Sequence, residues 1–322
     1  MSVDNFISKE QTLVVKGLAI FFMVAHHCLI KEFFIAQPEV LTTMPAVRLQ
    51  ISMKICVGLF TFFVGYVAYY SERLDFRYFI SHCVRLLKQY WIVLFGTVLL
   101  CMSFGEQIKV RELLLGLIGL SPYYNLGNWY IYFYIYALLI LPVIAYLVKK
   151  NTTYSTLAII ILAYTLSFLI SGESITSRAM HDCLQYTPIL CFGYVCAKTQ
   201  VFVRWSGYVR QRFVWLLLAL FAILLRSVGL KGISTDIVSV PLFILAICNI
   251  TSWGGQILQS LGRNSTLMWF IHAIPLSSAS GRFFQESDYW INNPILLFVA
   301  LVAISYLMAI VLNKLMHKIG YL

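Results

Sequence analysis

Long stretches without a single charged residue constrain this chain more than any other feature of its sequence. Residues 113–148, 237–262 and 289–313 contain no Asp, Glu, Lys or Arg. A run of roughly 18 or more such residues is long enough to cross a bilayer as a helix. Only 11% of the 322 residues are charged, against about 25% in a soluble protein. The sequence therefore predicts an all-α integral membrane protein.

The apolar runs divide into about ten transmembrane helices within a single transmembrane domain that covers residues 1–322. The predicted spans are residues 13–30, 54–71, 87–104, 127–148, 154–172, 183–199, 213–229, 235–252, 265–281 and 293–313. Segment 111–120 is apolar but too short to cross a bilayer, so we expect it to be interfacial or re-entrant.

The charges near the ends of these spans orient the helices. With the N-terminus in the cytoplasm, the entire formal net charge of +11 falls on the cytoplasmic side, as the positive-inside rule requires. Both termini are therefore predicted to be cytoplasmic. Since topology explains the basic composition, we expect no nucleic-acid partner.

Three ionisable residues interrupt the first predicted span, where Lys16 lies near the start and His26 and His27 lie deeper. At about 100° per residue, His27 returns to within roughly 20° of the face that carries Lys16, roughly 16 Å further along the axis. Buried ionisable groups in a membrane are costly, so they are candidates for function. A neutral imidazole can serve as a general base, or it can simply pack with a hydrogen-bonded partner.

A basic loop follows the second predicted span and contains Arg77, Arg85 and Lys88. Positive-inside anchoring explains such a loop without any site. The alternative is a phosphate site, because Arg85 and Lys88 are i,i+3 neighbours at the start of a helix.

Aromatic residues are dense from Asn128 and Trp129 onward. On a helix, Tyr130 and Tyr134 share one face and Tyr132 and Tyr136 share another. An aromatic belt at the membrane interface explains the first turn. The deeper tyrosines need polar partners, so they are candidates for lining a polar cavity.

A second intramembrane histidine, His272, lies in the predicted span 265–281. We expect Asn264 or Ser265 to cap this helix and Pro275 to kink it near the histidine. A packing role for His272 and a role in a polar cavity are both consistent with the pattern.

Several kinds of site are not indicated. The sequence has no nucleotide-binding or hydrolase motif of recognised spacing and no paired cysteines, so we predict no metal. No carboxylate lies inside a predicted span, and Asp236 lies only at the edge of one. A transporter driven by an intramembrane acid is therefore disfavoured.

Four stretches in this order resemble the membrane acyltransferase-3 family, which O-acylates surface polysaccharides. They are Lys16-Gly-Leu-Ala-Ile with His27, Gly65 followed by Arg85-Leu-Leu-Lys88, Asn128-Trp129-Tyr130 reaching Pro142, and Leu261-Gly-Arg263-Asn264-Ser265 with His272. The family more often has Arg where Lys16 and Lys88 stand, and lysine lacks the bidentate fork of arginine.

The resemblance implies transfer of an acetyl group from cytoplasmic acetyl-CoA to a hydroxyl of a cell-surface polysaccharide or its lipid-linked repeat unit. His27, with His26 beside it, would be catalytic, either deprotonating the acceptor hydroxyl or relaying the acyl group. Lys16, Arg85 and Lys88, with Arg77 in the same loop, would hold the cofactor.

The implied location is the bacterial cytoplasmic (inner) membrane, with membrane lipid as a further partner. The sequence leaves open whether the protein forms a homo-oligomer. It also leaves open two alternatives: a transporter or flippase of a lipid-linked or polar sugar, and an O-acyltransferase that uses another donor such as succinyl-CoA.

Overall fold

Helices make up the regular structure in the computed structural model, which describes residues 7–170, 174–209, 211–228, 235–250, 255–285 and 291–321. Within these ranges there is no β-strand. The all-α prediction is therefore confirmed for the described residues.

The helices follow one another with short connections. The first seven are α1 (Lys9–Cys28), α2 (Met44–Met53), α3 (Ile55–Tyr69), α4 (Phe76–Ser103), α5 (Val110–Leu117), α6 (Trp129–Lys150) and α7 (Thr152–Leu169). The next seven are α8 (Ile175–Thr199), α9 (Val201–Ser206), α10 (Arg212–Val228), α11 (Asp236–Ile250), α12 (Gly255–Ile271), α13 (Ser278–Gln285) and α14 (Pro294–Lys318). Short 3-10 turns lie at Lys31–Phe33, Glu39–Thr42, Leu126–Asn128 and Ile274–Leu276.

Six helical segments in the described part of the chain are long and apolar enough to cross a membrane. They are Lys9–Cys28, Met44–Tyr69, Phe76–Ser103, Leu126–Lys150, Thr152–Leu169 and Pro294–Lys318. These segments correspond to six of the ten predicted spans. The count of ten and the cytoplasmic termini stay predictions, and the predicted span ends at 172, 229 and 252 lie outside the described residues.

The helices α1 and α12 form the central pair of the bundle. Gly17 and Gly262 both lie where the backbones cross, because a Cβ at Gly17 would overlap the carbonyl of Leu258 and one at Gly262 would overlap that of Leu13. Small residues at a crossing allow membrane helices to approach closely. The same two helices meet again at His27 and His272, so they run parallel, as the first and ninth helices of a ten-span topology would.

The predicted span 265–281 is wrong in its boundaries. Helix α12 begins at Gly255 and ends at Ile271, and Pro275 lies in the 3-10 turn that follows. Proline clashes with the carbonyl four residues before it and disfavours a helical residue ahead of it, so the chain breaks here rather than kinks. Asn264 is an interior residue of α12 and not its cap, since its amide donates to the carbonyl of Ser260 at 2.8 Å.

A buried ion pair joins α10 to α11, although the sequence placed Asp236 only at the edge of a span. Nε of Arg226 lies 2.5 Å from Oδ1 of Asp236, and the two side chains are 1% and 0% exposed. Burying a charge is tolerable only when it is paired. Asp236 is the first residue of α11, in agreement with its predicted position at the edge of a span, but its burial and its pairing with Arg226 were not predicted.

Candidate active site

Two histidines from distant parts of the chain are in direct contact at the ends of α1 and α12. Nδ1 of His27 lies 2.8 Å from Nε2 of His272, and the ring centroids are 5.0 Å apart in a stacked arrangement. Both rings are buried, with 8% and 1% of their surface exposed. The close crossing at Gly17 and Gly262 brings them together.

The surroundings of His272 determine which nitrogen of each neutral ring carries the proton. Nδ1 of His272 lies 3.0 Å from the carbonyl oxygen of Met268. A carbonyl only accepts, so this Nδ1 must carry the hydrogen and Nε2 must be the acceptor. Nδ1 of His27 therefore donates to His272, which leaves the lone pair of Nε2 on His27 free to accept a proton.

We name the space beside this pair the histidine cavity, and it encloses about 390 Å³. Its lining residues are Met23, His26, His27, Lys54, Val57, Trp129, His181, Asp182, Gln185 and Tyr186. His272 is not among these residues and supports His27 from behind. His26 lines the cavity, but its Nδ1 lies 2.8 Å from the carbonyl oxygen of Gln50 and not near His272.

Further toward the start of α1 lies a second space, the Lys16 cavity, of about 280 Å³. Besides Lys16 it is lined mostly by apolar and aromatic side chains, with Tyr130 and Tyr134 from α6 and Ser265, Thr266 and Trp269 from α12. The predicted pairing of tyrosine faces is confirmed, because Tyr132 instead donates to Asp182 at 2.8 Å. Lys16 and His27 thus share a helix but open to different cavities.

Three packed aromatic residues line the two cavities, and we call them the aromatic septum: Trp129 lines the histidine cavity, and Tyr130 and Trp269 line the Lys16 cavity. The ring centroids of Tyr130 and Trp269 are 4.7 Å apart, and those of Trp129 and Trp269 are 6.4 Å apart. The indole Nε1 of Trp269 donates to the carbonyl of Gly127 at 2.9 Å, which ties the start of α6 to the end of α12.

A third space, the Arg85 cavity, lies where α14 ends and encloses about 500 Å³. Its lining residues are Arg85, Gln89, Ser260, Arg263, Asn264, Ile310, Asn313, Lys314 and His317. Two are arginines and one is a lysine, and none is a carboxylate. The amide of Asn313 donates to Oδ1 of Asn264 at 2.6 Å, which joins α12 to α14 at the cavity wall.

Besides His272, three predicted site residues lie outside these cavities. Nζ of Lys88 donates to the carbonyl of Tyr321 at 2.7 Å, so this lysine holds the end of the chain. Arg77 is exposed on the surface. Asn128 is 1% exposed and its amide donates to the carbonyl of Ser121, so it fixes the turn before α6.

Sequence reasoning missed the polar wall that faces the histidines across their cavity. Lys54 and the α8 residues His181, Asp182 and Gln185 were not singled out, although all four line the histidine cavity. The available signal was their spacing, because His181 and Gln185 are i,i+4 neighbours on a helix facing inward. Arg263 was noted only as part of the Leu261–Ser265 motif, and Lys314 was not predicted as a site residue.

Together these features define a multi-pass, all-helical membrane protein with a histidine-centred polar cavity and a separate cationic cavity. A family model described as an acyltransferase domain matches residues 14–314. The chain belongs to this acyltransferase-3 family, as the sequence motifs predicted. Membership supports an acyltransferase rather than a transporter. Comparison with curated proteins and with solved structures found no match.

Proposed function

We propose that this protein is an O-acetyltransferase of the bacterial cytoplasmic membrane. It takes an acetyl group from cytoplasmic acetyl-CoA and transfers it to a hydroxyl of a cell-surface polysaccharide or its lipid-linked repeat unit. The observation that carries the proposal is the hydrogen bond between His27 and His272, because it leaves a buried imidazole nitrogen free to accept a proton.

The Arg85 cavity supports coenzyme A as the acyl carrier. Its three cations, Arg85, Arg263 and Lys314, have no carboxylate among the lining residues to neutralise them. Arginine and lysine side chains in such an arrangement suit phosphate groups, which arginine can bind with two parallel hydrogen bonds. The neighbouring Lys16 cavity shares α4 and α12 with it and offers an apolar lining for the acyl-bearing arm.

His27 is the general base in this proposal. Acetyl-CoA supplies an acetyl group already activated as a thioester. Nε2 of His27 accepts the proton of the acceptor hydroxyl while that oxygen bonds to the acetyl carbon. The carbon–sulfur bond breaks, and the proton passes from His27 to the departing sulfur. General-base assistance of this kind contributes roughly 10²–10⁴-fold to a rate.

The test is proton NMR of the surface polysaccharide from cells with and without the protein. We expect O-acetyl signals only when the wild-type protein is present, and the His27→Ala variant to remove them while it still inserts into the membrane. His26→Ala serves as the matched control, because His26 does not touch His272. This variant is expected to lose less of the O-acetyl signal than His27→Ala. Full acetylation by His27→Ala would overturn the catalytic role, and a succinyl signal would change the donor.

A further inference from the structure

The wall of the histidine cavity opposite His27 contains polar groups that the proposed reaction does not use. Lys54 comes from the start of α3, Trp129 from the start of α6, and Asp182 and Gln185 from α8. These side chains approach from three separate helices. A wall assembled in this way suggests recognition of a ligand.

Asp182 and Gln185 keep unused hydrogen-bond acceptors. The carboxylate of Asp182 receives one hydrogen bond from the hydroxyl of Tyr132 at 2.8 Å. Nδ1 of His181 lies 3.8 Å from its Oδ1, and the Asp182 side chain is 37% exposed. Ionised carboxylates offer about four acceptor positions. Nε2 of Gln185 lies 2.8 Å from Nε2 of His181, so the amide nitrogen is engaged and its oxygen remains to accept.

Lys54 and Trp129 complete this wall. The ammonium of Lys54 supplies donors and has no carboxylate within ion-pair distance among the described residues. Trp129 packs against Tyr186 with ring centroids 6.0 Å apart. An indole held in this way presents a flat apolar surface beside polar groups.

The charge of the histidine cavity differs from that of the Arg85 cavity. In the histidine cavity the positive charge of Lys54 is balanced by the negative charge of Asp182. The lining of the Arg85 cavity contains Arg85, Arg263 and Lys314 but no carboxylate. Complementary charge favours one class of ligand and excludes another. The balanced cavity suits a neutral molecule rich in hydroxyl groups, and its volume of about 390 Å³ lies within the roughly 300–1,000 Å³ typical of small-molecule sites.

We propose that the histidine cavity is the acceptor subsite and that it takes a neutral pyranose unit. Asp182 and Gln185 accept hydrogen bonds from the hydroxyls that flank the reacting one. Lys54 donates to a sugar oxygen, and Trp129 packs on the apolar face of the ring. This assignment rests on the proposed function and adds to it the residues and the charge class of the acceptor.

The experiment uses the full-length protein in detergent with radiolabelled acetyl-CoA and a panel of p-nitrophenyl glycosides. The panel contains the neutral glucoside and galactoside and the anionic glucuronide. Asp182→Asn and Gln185→Ala are each expected to raise the apparent KM for the neutral glycosides about ten-fold or more. The KM for acetyl-CoA should stay the same, which also verifies that the variants are folded.

Glu72→Gln and Gln107→Ala are the matched controls, because both residues are exposed and lie outside the cavity. Unchanged KM values for the glycosides in both α8 variants would overturn the subsite, as would preferred acetylation of the glucuronide. Release of CoA by the wild type with no glycoside acetylated would overturn the sugar class while leaving the donor half of the proposed function intact. Absence of both CoA release and transfer would overturn the proposed function itself.

Discussion

His27 and His272 stand 2.8 Å apart, nitrogen to nitrogen, although 245 residues separate them along the chain. The carbonyl of Met268 orients the second ring, and that ring orients the first. His272 is therefore a positioning residue whose removal should leave His27 in place but free to rotate or change tautomer.

His272→Leu is expected to lower kcat by more than about ten-fold and at most by the roughly 10⁴-fold that a general base supplies. His272→Gln should retain more activity, because its amide oxygen can accept the hydrogen from Nδ1 of His27. Acetyl transfer at saturating donor, measured for both variants, checks this ranking. Equal activity of the two would argue against a role for the hydrogen bond.

Arg85→Ala is expected to raise the apparent KM for acetyl-CoA about ten-fold or more, since hydrogen bonds to charged groups are the stronger ones. Lys88→Ala should affect this KM less, because Lys88 is engaged with Tyr321. Arg77→Ala is the control, because Arg77 is exposed. Arg77, Arg85 and Lys88 lie in α4 and not in the predicted loop. The three KM values measured side by side decide whether these basic residues bind the donor or only anchor the helix.

The crossing of α1 and α12 predicts that Gly17→Ala and Gly262→Ala are both damaging. Each new methyl group meets a backbone carbonyl of the other helix, and overpacking of this kind costs about 1–3 kcal/mol. Gly96→Ala is the control, since nothing lies within 4 Å of a Cβ at that helical position. The melting temperature in detergent should fall for Gly17→Ala and Gly262→Ala but not for Gly96→Ala.

The Arg226–Asp236 pair predicts a strongly non-additive pair of substitutions. Removing either partner leaves an uncompensated buried charge, which costs about 3–5 kcal/mol, whereas replacing both by apolar residues is often tolerated. We expect Arg226→Leu and Asp236→Leu each to unfold at a lower temperature than the double variant. A double variant that is as unstable as the sum of the single ones would contradict a simple pairing role.

Glu106 in the loop between α4 and α5 predicts a pH dependence. The hydroxyl of Tyr123 donates to it at 2.6 Å, and this bond, with the guanidinium of Arg282, lowers the pKa of the carboxyl from its usual 4.5. A lowered folded pKa contributes stability above the unfolded value, and this contribution is lost as the pH falls through the folded value. The difference in melting temperature between wild type and Glu106→Gln should therefore close below about pH 4.5.

Local periodicity predicted the features that lie on one helix. The two faces of the tyrosine segment follow from 3.6 residues per turn. The same periodicity placed Lys16 and His27 on one stripe, yet they open to different cavities. Start and stop signals were less informative around α12, because Asn264 and Ser265 are typical capping residues that here bond inside the helix to Ser260 and Gly262. Side chains of this type make either kind of bond.

Contacts between distant helices were beyond the reach of a single sequence. Nothing local pairs His27 with His272 or Asp182 with Tyr132. Each pairing depends on how helices from remote parts of the chain pack, and that depends on close crossings such as Gly17 with Leu258. The sequence of α8 alone therefore predicted only a transmembrane span, and the contacts of its polar side chains depend on the positions of the neighbouring helices.

The aromatic septum bears on a problem that any enzyme working across a membrane must solve. In the proposed reaction the cofactor and the acceptor come from opposite sides, yet a continuous water-filled passage between them would dissipate the ion gradients of the cell. The packed rings of Trp129, Tyr130 and Trp269 occupy space between the two cavities and leave less room there for a continuous chain of water molecules. Replacing a septum residue by alanine would therefore be expected to create a leak as well as a weaker enzyme.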